Sequence, residues 1–264
     1  MRPYATPAGH TPKWVDSVQW HAASAFEPQT YRSLIASSSA VVHTLGILLE
    51  DAGYKRSISE GNVWGLLGAF VGGGQAMNPL RSRRERERGY EGMNRDSALQ
   101  VLDTMLSTPS SSTSPRPFIF ISAADAFRPL VPSRYIETKR QAEIHIGRRC
   151  SSSPDSPVRP VFIRPGLMYH PHIRPVSTLP AFLLSLSAGL AETLPLANPF
   201  ASKSAMAGAL DALRTHPLHV DHVAEAVLRC IEDDQKQGVV DVDTMRRWAG
   251  FTRSGVETGP EVQS

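Results

Sequence analysis

Short apolar runs alternate with longer segments in which apolar residues recur every three or four positions. The runs at 39–46, 118–122, 161–164 and 239–242 predict strands, because buried parallel strands are continuously apolar, and residues 15–21 are predicted to form a further short strand. The longer segments predict helices at 28–36, 90–106, 134–149, 178–190, 201–213 and 219–233, with Pro28 in a first turn and Ser133 as an N-cap. This alternation predicts an α/β fold, an open parallel sheet covered by helices.

The segments between these elements are polar, charged or rich in turn-forming residues. Residues 50–86 contain Gly65, Gly68 and the glycine triplet 72–74, and they overlap the arginine-rich run RSRRERER at 81–88. They are predicted to form a mobile loop. The serine-rich stretches 107–114 and 151–157 predict linkers. Residues 1–13 contain three prolines, which break helices, so a disordered leader is favoured over an amphipathic targeting helix.

Composition narrows the class of protein. The chain has 264 residues, 41% of them hydrophobic and 20% charged, which excludes wholesale disorder. The formal net charge is only +3, with one basic cluster at 81–88, so no nucleic-acid partner is predicted. Two cysteines, Cys150 and Cys230, are too few for a disulfide framework and fit a reducing compartment. The longest apolar stretch, 179–191, is interrupted by serines and too short to cross a bilayer, so no transmembrane segment is predicted.

Candidate chemistry concentrates between residues 118 and 143. Ser122 ends an apolar strand, and Tyr135 and Lys139 follow with the spacing Y-x-x-x-K. Positions i and i+4 lie above one another on a helix, so the ammonium is expected to lower the phenol's pKa from its ordinary value near 10. Tyr135 could then exchange a proton with a carbonyl or alcohol whose oxygen Ser122 also hydrogen-bonds. Alone, the Y-x-x-x-K spacing occurs often by chance, and the strand-terminal serine strengthens the prediction.

With Ser122, Tyr135 and Lys139 in this order, the sequence resembles the short-chain dehydrogenases/reductases. The resemblance is specifically to the extended or atypical branch related to NAD-dependent epimerases and dehydratases. SAVVHTLG at 39–46 is similar to the family's fourth strand, whose end, Leu45–Gly46, lies along the cofactor. The resemblance places Asn94 at the structural and catalytic asparagine, and Ser122, Tyr135 and Lys139 at the catalytic serine, tyrosine and lysine. VFIRPGLMY at 161–169 resembles the segment beneath the nicotinamide, with Pro165 and Gly166 in its loop. HPLHVDHVAEAVLRCIE at 216–232 resembles a family helix, whose His219 and His222 are expected to pack or cap.

The resemblance covers roughly residues 14 to 245 and is closest to one fungal subgroup. VVHTLGILLED, MNRDSA, SRYIETKRQAE and IRPGLMY resemble the mitochondrial short-chain-dehydrogenase-like protein associated with the ubiquinone (coenzyme Q) biosynthetic complex. The resemblance implies a Rossmann-like doubly wound sheet and an NAD or NADP cofactor. It also implies partners among the ubiquinone-synthesis proteins and a place on the matrix side of the mitochondrial inner membrane, with possible peripheral membrane association.

The sequence departs from the family where the pyrophosphate is held. No strand followed by G-x-x-G-x-x-G precedes Trp14, and Ala23–Ser24 stands where the family has Gly-Asp. The glycines at 65–74 have the wrong spacing and favour loop flexibility instead. We therefore expect a fold truncated at its N-terminus, from a fragment or truncated gene model, with cofactor binding weak or lost. The predicted domains are a leader (1–13), an incomplete Rossmann-like domain (14–166), a helical substrate-side region with the closing strand (167–245) and a polar tail (246–264).

Two functions remain open from the sequence. One is an NAD(P)-dependent oxidoreductase acting in or near quinone metabolism, on a substrate that the sequence does not identify. The other is a non-catalytic accessory protein that uses the fold for assembly of the ubiquinone-synthesis complex or the respiratory chain. Binding of RNA or anionic lipid through 81–88 is a distant third, since glutamates interleave with the arginines there. His170 and His172 lack a carboxylate partner and a helical spacing, so no metal site is predicted.

Overall fold

The protein is described here by a computed structural model that covers residues 13–48, 89–109, 114–125, 131–152, 156–169 and 217–251. The helices of these ranges are α1 (Arg32–Ser37), α2 (Ser97–Leu106), α3 (Ser133–Ser151), α4 (Val220–Glu232) and α5 (Val242–Trp248). The strands are β1 (Val41–His43), β2 (Arg116–Ile121), β3 (Val158–Ile163), β4 (Met168–Tyr169), β5 (Leu218–His219) and β6 (Gly238–Val240). Short 3₁₀ turns at Lys13–Ser17 and Pro28–Thr30 precede α1, and a π-helical turn, Gly92–Asp96, leads into α2.

The main sheet has the strand order β1-β2-β3-β6, and every pair in it is parallel. β2 and β3 lie in its centre and read as nearly continuous apolar runs, because residues on both faces are buried against helices. A second, two-stranded parallel sheet joins β4 to β5. The predicted α/β class with a doubly wound parallel sheet is confirmed.

Two hydrophobic clusters lie on opposite faces of the main sheet. Alternate residues of β2 divide between them, Phe118 and Phe120 facing α1, α2 and α3, whereas Ile119 faces α4 and α5. α4 contributes an apolar stripe of Val223, Ala226 and Cys230, whose spacing matches the helical repeat. This layering leaves the carboxyl ends of the parallel strands along one edge of the sheet.

Two buried arginines lie near the amino-terminal ends of the central strands. Arg116, in β2, donates to backbone carbonyls at the ends of α1 and α2. Arg159, in β3, donates to the carbonyls of Ile231 and Lys236, at and just beyond the end of α4. Both guanidiniums therefore lie where the partial negative charge of helix C-termini is concentrated.

Three predicted elements differ in the structure. Residues 15–21 form no strand; a 3₁₀ turn occupies Lys13–Ser17, and the Trp20 indole folds back to donate to the Val15 carbonyl at 3.1 Å. Pro132, not Ser133, is the N-cap of α3, because the chain enters the helix from the extended conformation of that proline. α5 continues to Trp248, into the predicted polar tail, because Asp241 caps it and Met245 is buried.

Several sequence predictions fall outside the described residues. They are the leader apart from its last residue, the loop and arginine run of 50–88, His170 and His172, the helices at 178–190 and 201–213, and the tail beyond 251. Within the described ranges, no helix is both long and apolar enough to cross a membrane.

Candidate active site

The carboxyl ends of β1, β2 and β3 bring most of the predicted site residues together. Beyond β2, the Ser122 N–H donates to the Ile163 carbonyl at 2.7 Å, and the Ala124 N–H donates to the Pro165 carbonyl at 2.8 Å. These bonds hold the Ser122 segment beside the Pro165–Gly166 loop. Ligands of open parallel sheets bind at this edge, so Leu45, Gly46, Ser122, Pro165 and Gly166 lie where the resemblance predicts a cofactor.

Lys139 joins the ends of two strands from its place on α3. Its ammonium donates to the Leu45 carbonyl at 3.2 Å and to the Ile121 carbonyl at 2.9 Å, and lies 4.6 Å from the centroid of the Phe120 ring. The side chain is only 2% exposed. Burial lowers the pKa of Lys139 from its ordinary value of 10.5 to about 8, against the opposing effect of the Glu143 carboxylate.

Asn94 fixes the backbone that follows β1. Its side-chain amide accepts from the Ile47 N–H at 2.8 Å and donates to the Ile47 carbonyl at 3.1 Å, a pairing of the kind two strands make. A third contact joins Asn94 Nδ2 to Thr138 Oγ1 at 3.4 Å. Asn94 is fully buried within the π-helical turn, a feature often found at functional sites. It therefore positions the Leu45–Ile47 segment over Lys139.

A glycine is required at position 46 because the side chains of Asn94 and Lys139 approach its backbone closely. A Cβ at this position would lie 2.9 Å from Asn94 Oδ1 and 2.9 Å from Lys139 Nζ. Neither group can easily withdraw, because both are buried and held by hydrogen bonds to backbone. Gly46, Asn94 and Lys139 thus form a tightly packed unit at the end of β1.

We expect Gly46→Ala to destabilise the protein by about 1–3 kcal/mol, since overpacking forces buried groups off their preferred positions. The midpoint of urea unfolding measures the loss. Gly147→Ala is the matched control, because a Cβ at Gly147 on α3 meets nothing within 4 Å. In a helix interior that substitution should stabilise by about 0.5–1 kcal/mol. Equal effects of the two substitutions would contradict the packed unit.

Tyr135 lies in the first turn of α3, and its electrostatics differ from the prediction. Burial raises the pKa of the Tyr135 phenol, whereas the sequence predicted that Lys139 lowers it. The reason is geometric: the Lys139 ammonium is directed to the Leu45 and Ile121 carbonyls. Among the described residues, nothing hydrogen-bonds the Tyr135 hydroxyl. The phenol is therefore neutral at physiological pH.

A charged cluster beside Ser122 was not predicted from the sequence. Arg140 donates to Ser122 Oγ at 3.0 Å, to the Ala123 carbonyl at 2.7 Å and to Glu143 at 2.7 Å. Arg164 binds both oxygens of the Glu143 carboxylate, with its Nε 3.0 Å from Oε1, which Arg140 also contacts, and its Nη2 in contact with Oε2. The i, i+3 spacing of Arg140 and Glu143 was the available signal, although it gave no indication of Ser122 or Arg164.

His43 is a second residue that the sequence did not single out. Its Nε2 lies 3.2 Å from Ser97 Oγ, and its ring packs against Phe118 and Phe120. Burial, reinforced by the charge of Lys139, lowers the pKa of His43 from 6.5 to about 4. Between pH 6.5 and about 4, the His43 imidazole therefore stays neutral in the folded protein but becomes protonated in the unfolded chain.

This shift predicts a loss of stability in acid. Between pH 6.5 and about 4 the unfolded chain binds a proton at His43 that the folded chain does not, so the free energy of unfolding falls as the pH falls. The full effect is about 3 kcal/mol. The free energy of urea unfolding should fall between pH 7 and pH 4.5 in the wild type and in His145→Gln, a control at an exposed position. In His43→Gln, this contribution to the fall should be absent. A His43→Gln protein with unchanged pH dependence would refute it.

Histidines at the start of α4 have a structural role. His219 caps α4, its Nδ1 accepting from the Asp221 N–H at 3.3 Å, and its ring meets Tyr169 and His222 edge-on. His222 also packs edge-on against Phe251. The prediction that these two residues pack or cap is confirmed. Over the ranges that the structure describes, no group of three or more His, Cys, Asp or Glu side chains could hold a metal ion.

Over most of its length the chain is similar to a curated yeast protein. It is 31% identical to MIOREX complex component 2 of Saccharomyces cerevisiae over 238 residues, which cover 88% of this chain and 81% of that protein. No protein-family model matches the chain.

Similarity to solved structures is more distant. RMD from Pseudomonas aeruginosa, complexed with NADPH, is 16% identical with a TM-score of 0.43, over 84% of this chain and 64% of that chain. WbmF from Bordetella bronchiseptica, in complex with NAD+ and UDP, is 13% identical with a TM-score of 0.40, over 91% of this chain and 65% of that chain. The chain thus spans slightly less than two thirds of the length of these two structures.

Proposed function

Because the chain belongs to the same family as the yeast MIOREX complex component 2, we propose that it is an NAD(P)-dependent oxidoreductase of the short-chain dehydrogenase type. One observation carries the proposal: Lys139 bridges the Leu45 and Ile121 carbonyls, at the strand ends next to Gly46 and Ser122. This is the edge where open parallel sheets bind dinucleotides. The contacts of Lys139 and Asn94 with the segment after β1 support the resemblance.

The described residues fit the nicotinamide-ribose half of a dinucleotide. Leu45 is exposed at the end of β1, Gly46 leaves room for a close approach, and Pro165–Gly166 follow β3 at the same edge. Lys139 and Tyr135 would face the ribose. When bound, a nicotinamide supplies or accepts the hydride. Within the described ranges, no glycine-rich turn between a strand and a helix offers backbone amides to a pyrophosphate.

In the proposed reaction, Tyr135 is the general acid that donates its phenolic proton to a carbonyl oxygen, and the general base in reverse. Ser122 donates a hydrogen bond to the same oxygen. Lys139 and Asn94 position the Leu45–Ile47 segment through their bonds to its backbone. Burial raises the pKa of Tyr135, so the phenol is protonated and can act as the donor, although a higher pKa makes it a weaker acid.

Cofactor affinity tests the binding part of the proposal. We expect the 264-residue chain to bind NAD(H) and NADP(H) only weakly, since the described residues supply the nicotinamide side without a phosphate turn. Calorimetric titration of the purified chain with NADH and with NADPH measures the dissociation constants. Heat that saturates in the high micromolar to millimolar range is the expected result. A low micromolar constant would contradict the prediction of weak binding, and no heat at all would contradict cofactor binding.

Turnover tests the catalytic part. The probe is 9,10-phenanthrenequinone, an unhindered diketone, with NADH or NADPH in excess, and the readout is consumption of the reduced nicotinamide. Oxidation that depends on both the chain and the diketone supports the oxidoreductase. Cofactor binding without turnover of this probe or of ubiquinone-pathway intermediates would favour the non-catalytic alternative.

We further propose a mitochondrial place for the protein, on the matrix side of the inner membrane, in association with the ubiquinone-synthesis proteins. The resemblance of the MNRDSA and SRYIETKRQAE segments to the fungal ubiquinone-linked subgroup supports this, and the yeast relative is itself a component of a complex. Fractionation of cells expressing a tagged chain, followed by protease protection of the mitochondria, tests the location. A cytosolic signal would contradict it.

A role in assembly is the second candidate, and the name of the relative favours it, since that protein is a complex component. An accessory protein would need its fold and surface but not the Tyr135 hydroxyl. Expression of the Tyr135→Phe chain in a strain from which the gene for this protein has been deleted therefore separates the two functions. Full complementation supports assembly, whereas loss of complementation with normal protein abundance supports catalysis.

A further inference from the structure

Ser122 is the centre of a buried polar arrangement that involves more than the predicted catalytic residues. It lies directly beyond β2, is 3% exposed, and accepts a hydrogen bond at its hydroxyl from Arg140 Nη1 at 3.0 Å. The second terminal nitrogen of Arg140 donates to the Ala123 carbonyl at 2.7 Å. One guanidinium therefore binds both the side chain of Ser122 and the backbone of the next residue.

A guanidinium can only donate hydrogen bonds, and this fixes the role of the serine. A hydroxyl has one proton to donate and two lone pairs that accept. Arg140 occupies one lone pair, so the Ser122 proton cannot be directed at Arg140 and must go to another acceptor. Among the described residues, none accepts it. The Ser122 proton is therefore available to an oxygen outside these residues, at the edge of the sheet where the proposed substrate binds.

The carboxylate of Glu143 holds Arg140 in this position. Glu143 is 5% exposed and accepts from Arg140 at 2.7 Å, while Arg164 binds the same carboxylate from the end of β3. Two guanidiniums thus share one carboxylate in this trio, which leaves an excess positive charge beside Ser122. The other charged groups nearby are Asp125, which acts on Arg140, and Lys139, bound to the Ile121 carbonyl.

We propose that Arg140 is a positioning residue that holds Ser122 as a one-way hydrogen-bond donor to the substrate oxygen. This proposal rests on the proposed oxidoreductase function. Arg140 does not touch the substrate. It acts through Ser122, whose donated bond strengthens when its own oxygen accepts from a cation. The Glu143–Arg164 pair keeps the guanidinium in place and prevents it from turning to solvent.

A thiol at position 122 measures the influence of Arg140 without cofactor or turnover. Ser122→Cys is combined with Arg140→Gln, with Arg140→Lys or with Arg164→Gln, and the thiolate is followed by its ultraviolet absorbance against pH. Each spectrum is referred to the same chain with Ser122 kept, which subtracts the tyrosines, Cys150 and Cys230. Circular dichroism confirms that each variant is folded.

With Ser122→Cys alone, the contact with Arg140 should hold the thiol pKa low. Arg140→Gln should raise it by about 1–3 pH units, the usual effect of removing an opposite charge in contact. Arg164→Gln is the matched control, because Arg164 contacts Glu143 rather than Ser122, and should shift the pKa by less than about half as much. An unchanged pKa in the Arg140→Gln chain, or equal shifts in both chains, would overturn the proposal.

Arg140→Lys provides the answer if the glutamine variant does not fold. Lysine keeps the charge but lacks the planar fork that reaches Ser122 and Ala123 together. An intermediate thiol pKa supports the positioning role, and a pKa equal to that of Ser122→Cys alone would show that the guanidinium is not needed. The titration is independent of catalysis, so a chain without turnover contradicts the proposed function and leaves this result standing.

Discussion

Tyr135→Phe should reduce the turnover of phenanthrenequinone by about 10²- to 10⁴-fold, the range that general acid–base catalysis contributes. The substitution removes one hydroxyl, the proposed proton donor. Nothing in the described part of the chain hydrogen-bonds that hydroxyl, so no buried partner is left unsatisfied. We therefore expect an unchanged midpoint of urea unfolding, and a loss of kcat rather than a rise in KM.

Tyr31→Phe is the matched control for this experiment. The Tyr31 hydroxyl donates to the Ala25 carbonyl at 3.0 Å and lies 3.4 Å from Thr104 Oγ1, in the cluster between α1 and α2. Its removal should cost about 1 kcal/mol of stability and leave kcat unchanged. The two substitutions thus have opposite expected effects on stability and on catalysis. A loss of kcat below tenfold in Tyr135→Phe would remove this tyrosine from the catalytic role.

Local patterns were sufficient to predict the central layers of the fold. β2 and β3 were recognisable because a parallel strand with helices on both faces is nearly continuously apolar, and FIFI and VFI meet that condition. α3 was recognisable from its long helical pattern, which also placed Tyr135 and Lys139 one turn apart. These features depend on neighbours in sequence or on a repeating period, which are visible without a structure.

Long-range contacts decided what the sequence could not predict. Burial raises the pKa of Tyr135, and the Lys139 ammonium that was expected to lower it binds instead to the Leu45 and Ile121 carbonyls, which come from two separate strand ends. The bond between Arg140 and Ser122 likewise joins residues 18 positions apart. No periodicity encodes either choice of partner.

The error at residues 15–21 has a similar physical cause. The segment VDSVQWH was predicted to be a short strand, but in the structure Val15 is buried while Val18 and Trp20 are exposed. The Trp20 indole satisfies the Val15 carbonyl, and the two tryptophan rings, Trp14 and Trp20, lie 6.3 Å apart. A strand needs a neighbouring strand for its backbone groups, whereas this turn satisfies them locally.

Arg116→Met should have the largest effect on stability, about 3 kcal/mol. The Arg116 side chain is 2% exposed, and its guanidinium donates to the carbonyls of Ile35 at 2.8 Å, Ser38 at 3.2 Å, and Met105 and Thr108 at 3.4 Å. These carbonyls end α1 and α2, where the helix dipoles favour a cation. Methionine fills similar volume but donates nothing. The Ile35 and Met105 carbonyls would still accept from the N–H groups of Ser38 and Thr108, so the cost is that of lost bonds to a charged group, about 1.5–3 kcal/mol for each strong one.

Two terms limit the loss caused by Arg116→Met. The Arg116 Nε is itself buried and finds no hydrogen-bond partner among the described residues, and the variant no longer has to desolvate a charge. The 3.4 Å contacts are also weak, so the bonds to Ile35 and Ser38 dominate. Against a typical stability of roughly 5–15 kcal/mol, a net loss of about 3 kcal/mol should be plain in the urea midpoint. Arg148→Met, at an exposed position of α3, should change stability by less than about 0.5 kcal/mol. Equal midpoints for the two variants would show that the burial cost of the guanidinium cancels its four bonds, and that Arg116 does not stabilise the ends of α1 and α2.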